Sequence, residues 1–362
     1  MKGSIKMKRI LALVITFALI IALVASCGGN SNQPSAVPPP SSNPPTSAGG
    51  GYSGGSYNLK MGHQFRAGEI GDDYGQFFAA RVAELSDGKI KIDVYTDSQL
   101  GSQLELAESV GLGTIDFTPG DWAMMNTVYG FEKGSINSLP FLFKGLDHLA
   151  AFFQSDVLDE IAKEFLEKHN IRTLGSAGLG FRKCYTQTPI NTVDDFKGIK
   201  FRVPDMAIYK DTFAAVGAAT IVVPAAELYT SLQNGIVNAL ERPADGMYTN
   251  NIWEQTKYVI PTDHICDIAN IFVSEITFQK LDADAQAVLI RAGKEVSAEF
   301  FDHLKQRDSF ALNALKTECN QEIIDFDTTE MAQIMKEKVW PKYIDVIPGG
   351  QEIVDRIQAM AG

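Results

Sequence analysis

The chain has 362 residues, 45% of them apolar, with 44 acidic against 32 basic side chains and a formal net charge of −12. That length can bury two sizeable cores and suggests two domains. The acidic balance disfavours nucleic acid and anionic lipid headgroups as partners, because both are held by basic surfaces.

Residues 1–26 read as a targeting segment. Lys2, Lys6, Lys8 and Arg9 precede the apolar run ILALVITFALIIALVA. At about 16 residues the run is short of the ~20 that a bilayer span needs and right for a signal-peptide core. It ends in Val24-Ala25-Ser26-Cys27, which resembles the lipobox of bacterial lipoproteins and makes Cys27 the expected lipidated residue. The plainer alternative is a Sec signal followed by an incidental cysteine. Residues 27–57 contain no charged side chain and are mostly Gly, Ser, Pro and Asn. Such a stretch buries too little apolar surface to offset its ordering entropy and is expected to be a disordered tether.

The body opens with YNLKMGH as a first strand. DDYGQFFAARVAELSDGK follows with Phe78, Val82 and Leu85 at helical spacing. KIKIDVYT alternates as a strand, SQLELAESVGLG is a helix capped by Ser102, and TIDFT is another strand. This alternation is the pattern of a mostly parallel sheet. A helical stretch from Asp147 to His169 leads to the strand IRTLGSA. The alternation then restarts: a short helix TVDDFKG capped by Thr192, strand IKFRVP, helix AIYKDTFAAVG, strand ATIVVP and helix AAELYTSLQNG. From Asp282 to about Lys316, Ala285, Leu289, Ala292, Val296, Phe300 and Leu304 share one face. A helix of that length is near 50 Å long and could brace two domains.

Beyond Cys27 three cysteines remain, Cys184, Cys266 and Cys319, with no metal-ligand or redox spacing, and the five histidines are scattered. No metal or cofactor is expected. The tryptophans read as packing residues, and the paired aspartates at 72–73 and 194–195 as helix-start charges. Arg182 and Arg202 each end a strand-like run. Ligands of open α/β sheets bind outside the carboxyl ends of strands, and guanidinium matches a carboxylate two oxygens at a time. The pair therefore marks an anion site, against the alternative that Arg202 makes a surface ion pair with Asp194 or Asp195.

Three long motifs, SQLGSQLELAESVGLGTIDF, GFRKCYTQTPINTVDDFKGIKFRVP and GAATIVVPAAELYTSLQNGIVNALERP, resemble in order and spacing the extracytoplasmic solute receptors of tripartite ATP-independent periplasmic (TRAP) transporters, the DctP type. The resemblance runs from about Tyr57 to Val339. It implies a two-lobed α/β flytrap with a long helix spanning both lobes, residues 58–179 with 268–306 forming one lobe and 180–267 with 307–362 the other. It implies that Arg202 makes the main salt bridge to a ligand carboxylate and that Arg182 also faces the ligand. Gln103 and Asp121 fall where first-lobe side chains meet ligand hydroxyls or amines, and His63 and Gln64 match a further contact position. Two departures stand out. Arg242 replaces the usual asparagine of the D-G-Q-E-N-P segment beside a retained Glu241, and Ala225 replaces a common aromatic residue, which gains space.

Three guanidinium groups around one carboxylate would repel one another in a low-dielectric cleft. Either Glu241 or Asp121 pairs internally and the ligand is a monocarboxylate, or the ligand carries a second acidic group. The expected function is an extracytoplasmic, lipid-anchored protein that captures an organic acid and passes it to integral membrane TRAP subunits. A sensor subunit for a membrane signalling protein is the alternative. An enzyme on the same fold is less favoured, since no nucleophile–base arrangement is recognisable; Cys184, near Arg182, is the one thiol that a catalytic reading could use.

Overall fold

The computed structural model describes residues 51–361. The expected signal segment, Cys27 and residues 28–50 lie outside the described residues. In chain order the strands are β1 (Tyr57–Gly62), β2 (Ile90–Tyr95), β3 (Phe117–Gly120), β4 (Ile171–Phe181), β5 (Lys183–Thr186), β6 (Lys200–Val203), β7 (Ala219–Val222), β8 (Ala239–Arg242), β9 (Tyr258–Ile260), β10 (Cys266–Ser274) and β11 (Glu322–Ile323). The helices that position the site are α1 (Ile70–Leu85), α2 (Gln103–Leu112), α3 (Trp122–Tyr129), α4 (Leu146–Phe153), α5 (Asp156–His169), α6 (Ala207–Ala215), α7 (Leu228–Gln233), α8 (Ala244–Thr249), α9 (Glu275–Phe278) and α10 (Ala283–Thr317).

The strands form two mixed sheets, ordered β2-β1-β3-β10-β4 and β11-β9-β5-β8-β6-β7. The strand–helix alternation makes β1, β2 and β3 parallel in the first sheet, and β6, β7 and β8 parallel in the second. The expectation of mostly parallel sheets is incomplete. β10 runs antiparallel between β3 and β4, and β5 runs antiparallel between β8 and β9. The reason is that the chain changes sheets at 181–183 and at 260–266, and returns to the second sheet once more, through α10, to form β11. The first two crossings run side by side, with the Arg182 N–H donating to the Ile265 carbonyl at 2.8 Å.

The long periodic run forms the 35-residue α10, whose Asp282 cap accepts from the Ala285 N–H at 2.9 Å. All six residues of the expected apolar face are buried. They pack with Leu59, Met61, Leu174 and Ile271 of the first sheet. Where α10 crosses β4 the two backbones touch: a Cβ on Gly175 would lie 2.6 Å from the Gly293 carbonyl oxygen. Only glycine allows that approach. Farther along, α10 carries Arg307 to Asp245 of α8, next to the second sheet. Beside the second sheet Phe201 and Phe213 stack at 3.9 Å and 15°, in a core cluster that continues to Trp122, Phe165 and Phe272 on the side of the first.

Two local expectations are corrected. The helical stretch 147–169 is two helices, α4 and α5. Ser155 has extended backbone and its hydroxyl donates to the Phe152 carbonyl at 2.7 Å, so the first helix ends there and the second begins. Residues 52–57, expected to belong to a disordered tether, are docked on the body. Tyr57 opens β1, and Gly55 donates its N–H to Asp282 at 2.7 Å while Tyr52 donates to Asp87 at 3.1 Å. Carboxylates at the start of α10 and after α1 give these uncharged residues a place to dock.

Candidate functional site

Strand direction explains why three arginines meet. β6 and β8 are parallel with Arg202 level with Leu240, so Arg202 and Arg242 both come at the carboxyl edge. β5 is antiparallel to β8 with Lys183 opposite Arg242, so its start, and Arg182 just before it, reaches the same edge. Across from them the first sheet presents the ends of β1, β2 and β3 and the start of β10. These supply Gln64, Asp97, Asp121 and Asp267. Between the two edges lies a cleft with about 1050 Å³ of space, its open mouth included.

The three guanidinium groups are in different states. Arg182 is buried and committed: its Nε and Nη2 hold both oxygens of Glu241, Nη2 at 2.9 Å, and its Nη1 donates to Asp267 at 2.6 Å. Its guanidinium also lies 5.1 Å from the centre of the Tyr209 ring. Arg242 donates from Nη2 to Glu69. Arg202 is 5% exposed and donates Nε to the Val223 carbonyl at 2.8 Å. Its two terminal nitrogens have no partner among the described residues and face the cleft. Burial, helped by the positive charges of Arg182 and Arg242 and opposed by Glu241, pulls Arg202 down to about 9. Arg182, with its carboxylates, is pushed up instead, although burial works against it. Arg202 is thus a desolvated cation with no counter-ion among the described residues. The ion pair with Asp194 or Asp195 is absent: Asp194 pairs with Lys197, and Asp195 accepts from the N–H groups of Asn191 and Thr192.

The expected contacts from the first sheet divide. Gln103, Gln64 and Asp121 line the cleft. Gln103 is placed by α2, whose Ser102 cap forms the reciprocal bonds of a capping box with Glu105. Gln64 holds a buried Oε1 without a protein donor. Asp121 is more occupied than expected. It caps α3 through the Ala123 N–H at 2.7 Å and accepts from Tyr209 at 3.1 Å and Ser138 at 3.2 Å. His63 and Glu241 do not line the cleft. His63 is fully buried, 3.4 Å from Asp72. Glu241 lies behind Arg182 with His264 at 3.6 Å. Burial would raise Glu241, but Arg182 and His264 hold it at about 2. Ala225 lines the cleft, so the gained space is there.

Sequence reasoning missed Glu69, Tyr209, Asn250 and Asp267, all of which line the cleft. Asp267 carried a signal, a charge inside the apolar run ICDIANIFVS. The others looked like ordinary helix or loop residues. Two expectations about packing residues are also decided. Trp122 is 1% exposed, edge-on to Phe165 and Phe272 at 5.0 Å, and belongs to the core. The catalytic reading of Cys184 fails, because the thiol is fully buried and burial pushes it far up, more than Arg182 can lower it.

Asp121 gives a pH signature. Burial, reinforced by the nearby Asp267, raises it to about 6 against its hydrogen bonds. A carboxyl raised in the folded state binds its proton before the unfolded chain does, so stability rises as pH falls through 6 toward the unfolded value. The ligand-free protein should melt at a higher temperature at pH 5 than at pH 7.5, and Asp121→Asn should reduce that rise, leaving the part due to Asp245, which burial also raises to about 6. A wild-type melting temperature no higher at pH 5 than at pH 7.5 would contradict the assignment.

A family model for bacterial extracellular solute-binding proteins, family 7 (DctP), matches residues 61–346. The chain is 28% identical over 304 residues to the sialic acid-binding periplasmic protein SiaP of Vibrio cholerae, covering 83% of this chain and 92% of that protein. Among solved structures it is similar to a TRAP periplasmic solute binding protein from Desulfovibrio salexigens with bound orotic acid, at 26% identity and TM-score 0.78 over 84% of this chain and 99% of that one. A TRAP periplasmic solute binding protein from a Sulfitobacter species with bound α-D-taluronate is similar at 27% identity and TM-score 0.77, over 83% and 97%.

Proposed function

The chain belongs to the bacterial extracellular solute-binding proteins, family 7 (DctP), and we propose that it captures a hydroxylated organic acid and delivers it to the integral membrane subunits of a TRAP transporter. The observation that carries this reading is Arg202. A buried guanidinium with both terminal nitrogens free is costly unless a ligand completes it, and a carboxylate fits its fork. Around it the cleft offers acceptors that need donors, the buried Oε1 of Gln64 and Oδ1 of Asn250. A carboxylate at one end and hydroxyls along the rest satisfy both needs. The acids bound by similar proteins support the class.

The two sheets act as the lobes of a flytrap, residues 58–179 with 268–306 and 180–267 with 307–362. The paired crossings and α10 are the connections that flex. As a receptor the protein returns its ligand unchanged, so an acid incubated with it should be recovered intact. The deciding experiment is a thermal-shift screen of the protein without residues 1–26 against organic, sugar and keto acids. A ligand at 100 times its dissociation constant adds about 2.7 kcal/mol and a clear rise in melting temperature. A screen in which only uncharged sugars raise it would overturn the reading.

Location completes the proposal. Lipid on Cys27 anchors the body extracytoplasmically at the membrane. Cys27→Ser should move the protein from the membrane to the soluble fraction, and unchanged membrane retention would rule the anchor out.

A further inference from the structure

Arg242 stands where a ligand contact is expected and lines the cleft, with its buried Nε unpartnered among the described residues, yet its charge is already met through Nη2. Glu69 occupies the cap position of α1 with extended backbone, and its side chain makes no bond to its own helix. It reaches instead to residues next to the second sheet. One oxygen accepts from Arg242 Nη2, the other from Asn250 Nδ2 at 2.9 Å and, locally, from the Arg66 N–H at 3.3 Å. Glu69 is 6% exposed and Arg242 9%. The following residue, Ile70, donates its N–H to Asp245 at 2.8 Å, and Arg307 joins Asp245 to the Gly68 carbonyl. The segment 68–70, which follows the first sheet's β1, is therefore held against 242–250, which follows β8. Gly246 belongs to this arrangement. A Cβ there would fall inside the Arg242 guanidinium, so glycine lets that group lie against the start of α8 beside Glu69.

From these contacts, and resting on the receptor reading above, we propose that Glu69 and Arg242 form a clasp across the cleft that neutralises the Arg242 charge and limits the site to acids with a single carboxylate. The charges follow. Arg182 is matched by Glu241 and Asp267, and Arg242 by Glu69, so Arg202 is the one buried lining cation left over among the described residues. Arg66 also lines the cleft without an ion partner, but it is exposed at the rim, where solvent screening leaves a pair worth little. One carboxylate completes Arg202. A second one inside the cleft would be desolvated among Glu69, Asp121 and Asp267 with no free cation to meet it. Of the two alternatives that Arg242 raises, the internal pairing prevails: Glu241 pairs with Arg182 as expected, Glu69 takes Arg242, and Asp121 pairs with neither.

The clasp is tested without ligand by a cycle of Glu69→Gln, Arg242→Gln and the double variant, read by thermal melting. Each single change strands a buried charge, so each should lower the melting temperature by about 5 °C or more, and the double variant should recover part of the loss. Additive losses would overturn the clasp. Specificity is tested with galactonate and galactarate, six-carbon hydroxy acids that differ in one terminal carboxylate. Wild type should bind galactonate at least tenfold more tightly, and Glu69→Gln, which frees Arg242, should erase most of that ratio. An unchanged ratio in Glu69→Gln, or wild-type preference for galactarate, would overturn the single-carboxylate limit. Failure of the receptor reading looks different: no acid raises the melting temperature of any variant, while the ligand-free cycle still decides whether the clasp exists.

Discussion

Arg202→Ala should weaken acid binding by a hundredfold or more, with little loss of stability in the ligand-free protein. Both halves follow from the same geometry. In the complex the guanidinium meets a carboxylate in a dry cleft, and losing one partner of such a pair costs about 2–5 kcal/mol. In the free protein the guanidinium makes one bond, to the Val223 carbonyl, and has no ion partner. Removing it strands no carboxylate and relieves an unpaired buried charge. Arg202→Lys should also bind poorly, because an ammonium cannot reproduce the planar fork. Calorimetric titration and ligand-free melting on the same samples check this. Unchanged affinity in Arg202→Ala would remove the residue from the site, and a large melting loss without ligand would make it structural.

The features that were legible in the chain are those set by local pattern. Strand runs ended by Arg202-Val203-Pro204 and by Arg182 point to the carboxyl edge, and the Ser102 cap places Gln103 there. The long helix follows from apolar spacing sustained over 35 residues. The rest depends on contacts between distant parts of the chain. Glu69 and Arg242 are 173 positions apart, and an acidic residue before a helix is explained well enough by the helix itself. The antiparallel β10 brings Asp267 to Arg182, so an arginine that faces a ligand in the motif is already paired in the fold. His63 shows the converse: it follows a strand that ends at the cleft, yet β1 turns it inward to Asp72, and only Gln64 reaches the cavity.

Arg182 and Glu241 carry the second large expectation, and it concerns stability before binding. Glu241 is fully buried and holds Arg182 through both oxygens, while His264 stands behind it and Asp267 takes another of the guanidinium's donors. These residues sit where the chain crosses between sheets, so the ion pair ties the crossing to β8. Glu241→Gln removes one partner of a buried pair, a loss of about 3–5 kcal/mol. The ligand-free melting temperature should fall by on the order of 10 °C. The pH dependence identifies the cause. A carboxylate lowered to about 2 in the folded state contributes fully above its unfolded value near 4.5, and the contribution fades as pH drops toward 2. The gap between wild type and Glu241→Gln should therefore hold constant from pH 5 to 8 and narrow only in stronger acid. A ligand-free melting temperature equal to that of the wild type would overturn the structural role of the Arg182–Glu241 pair. A gap that widens below pH 4 would mean that the carboxylate is not paired with Arg182 in solution.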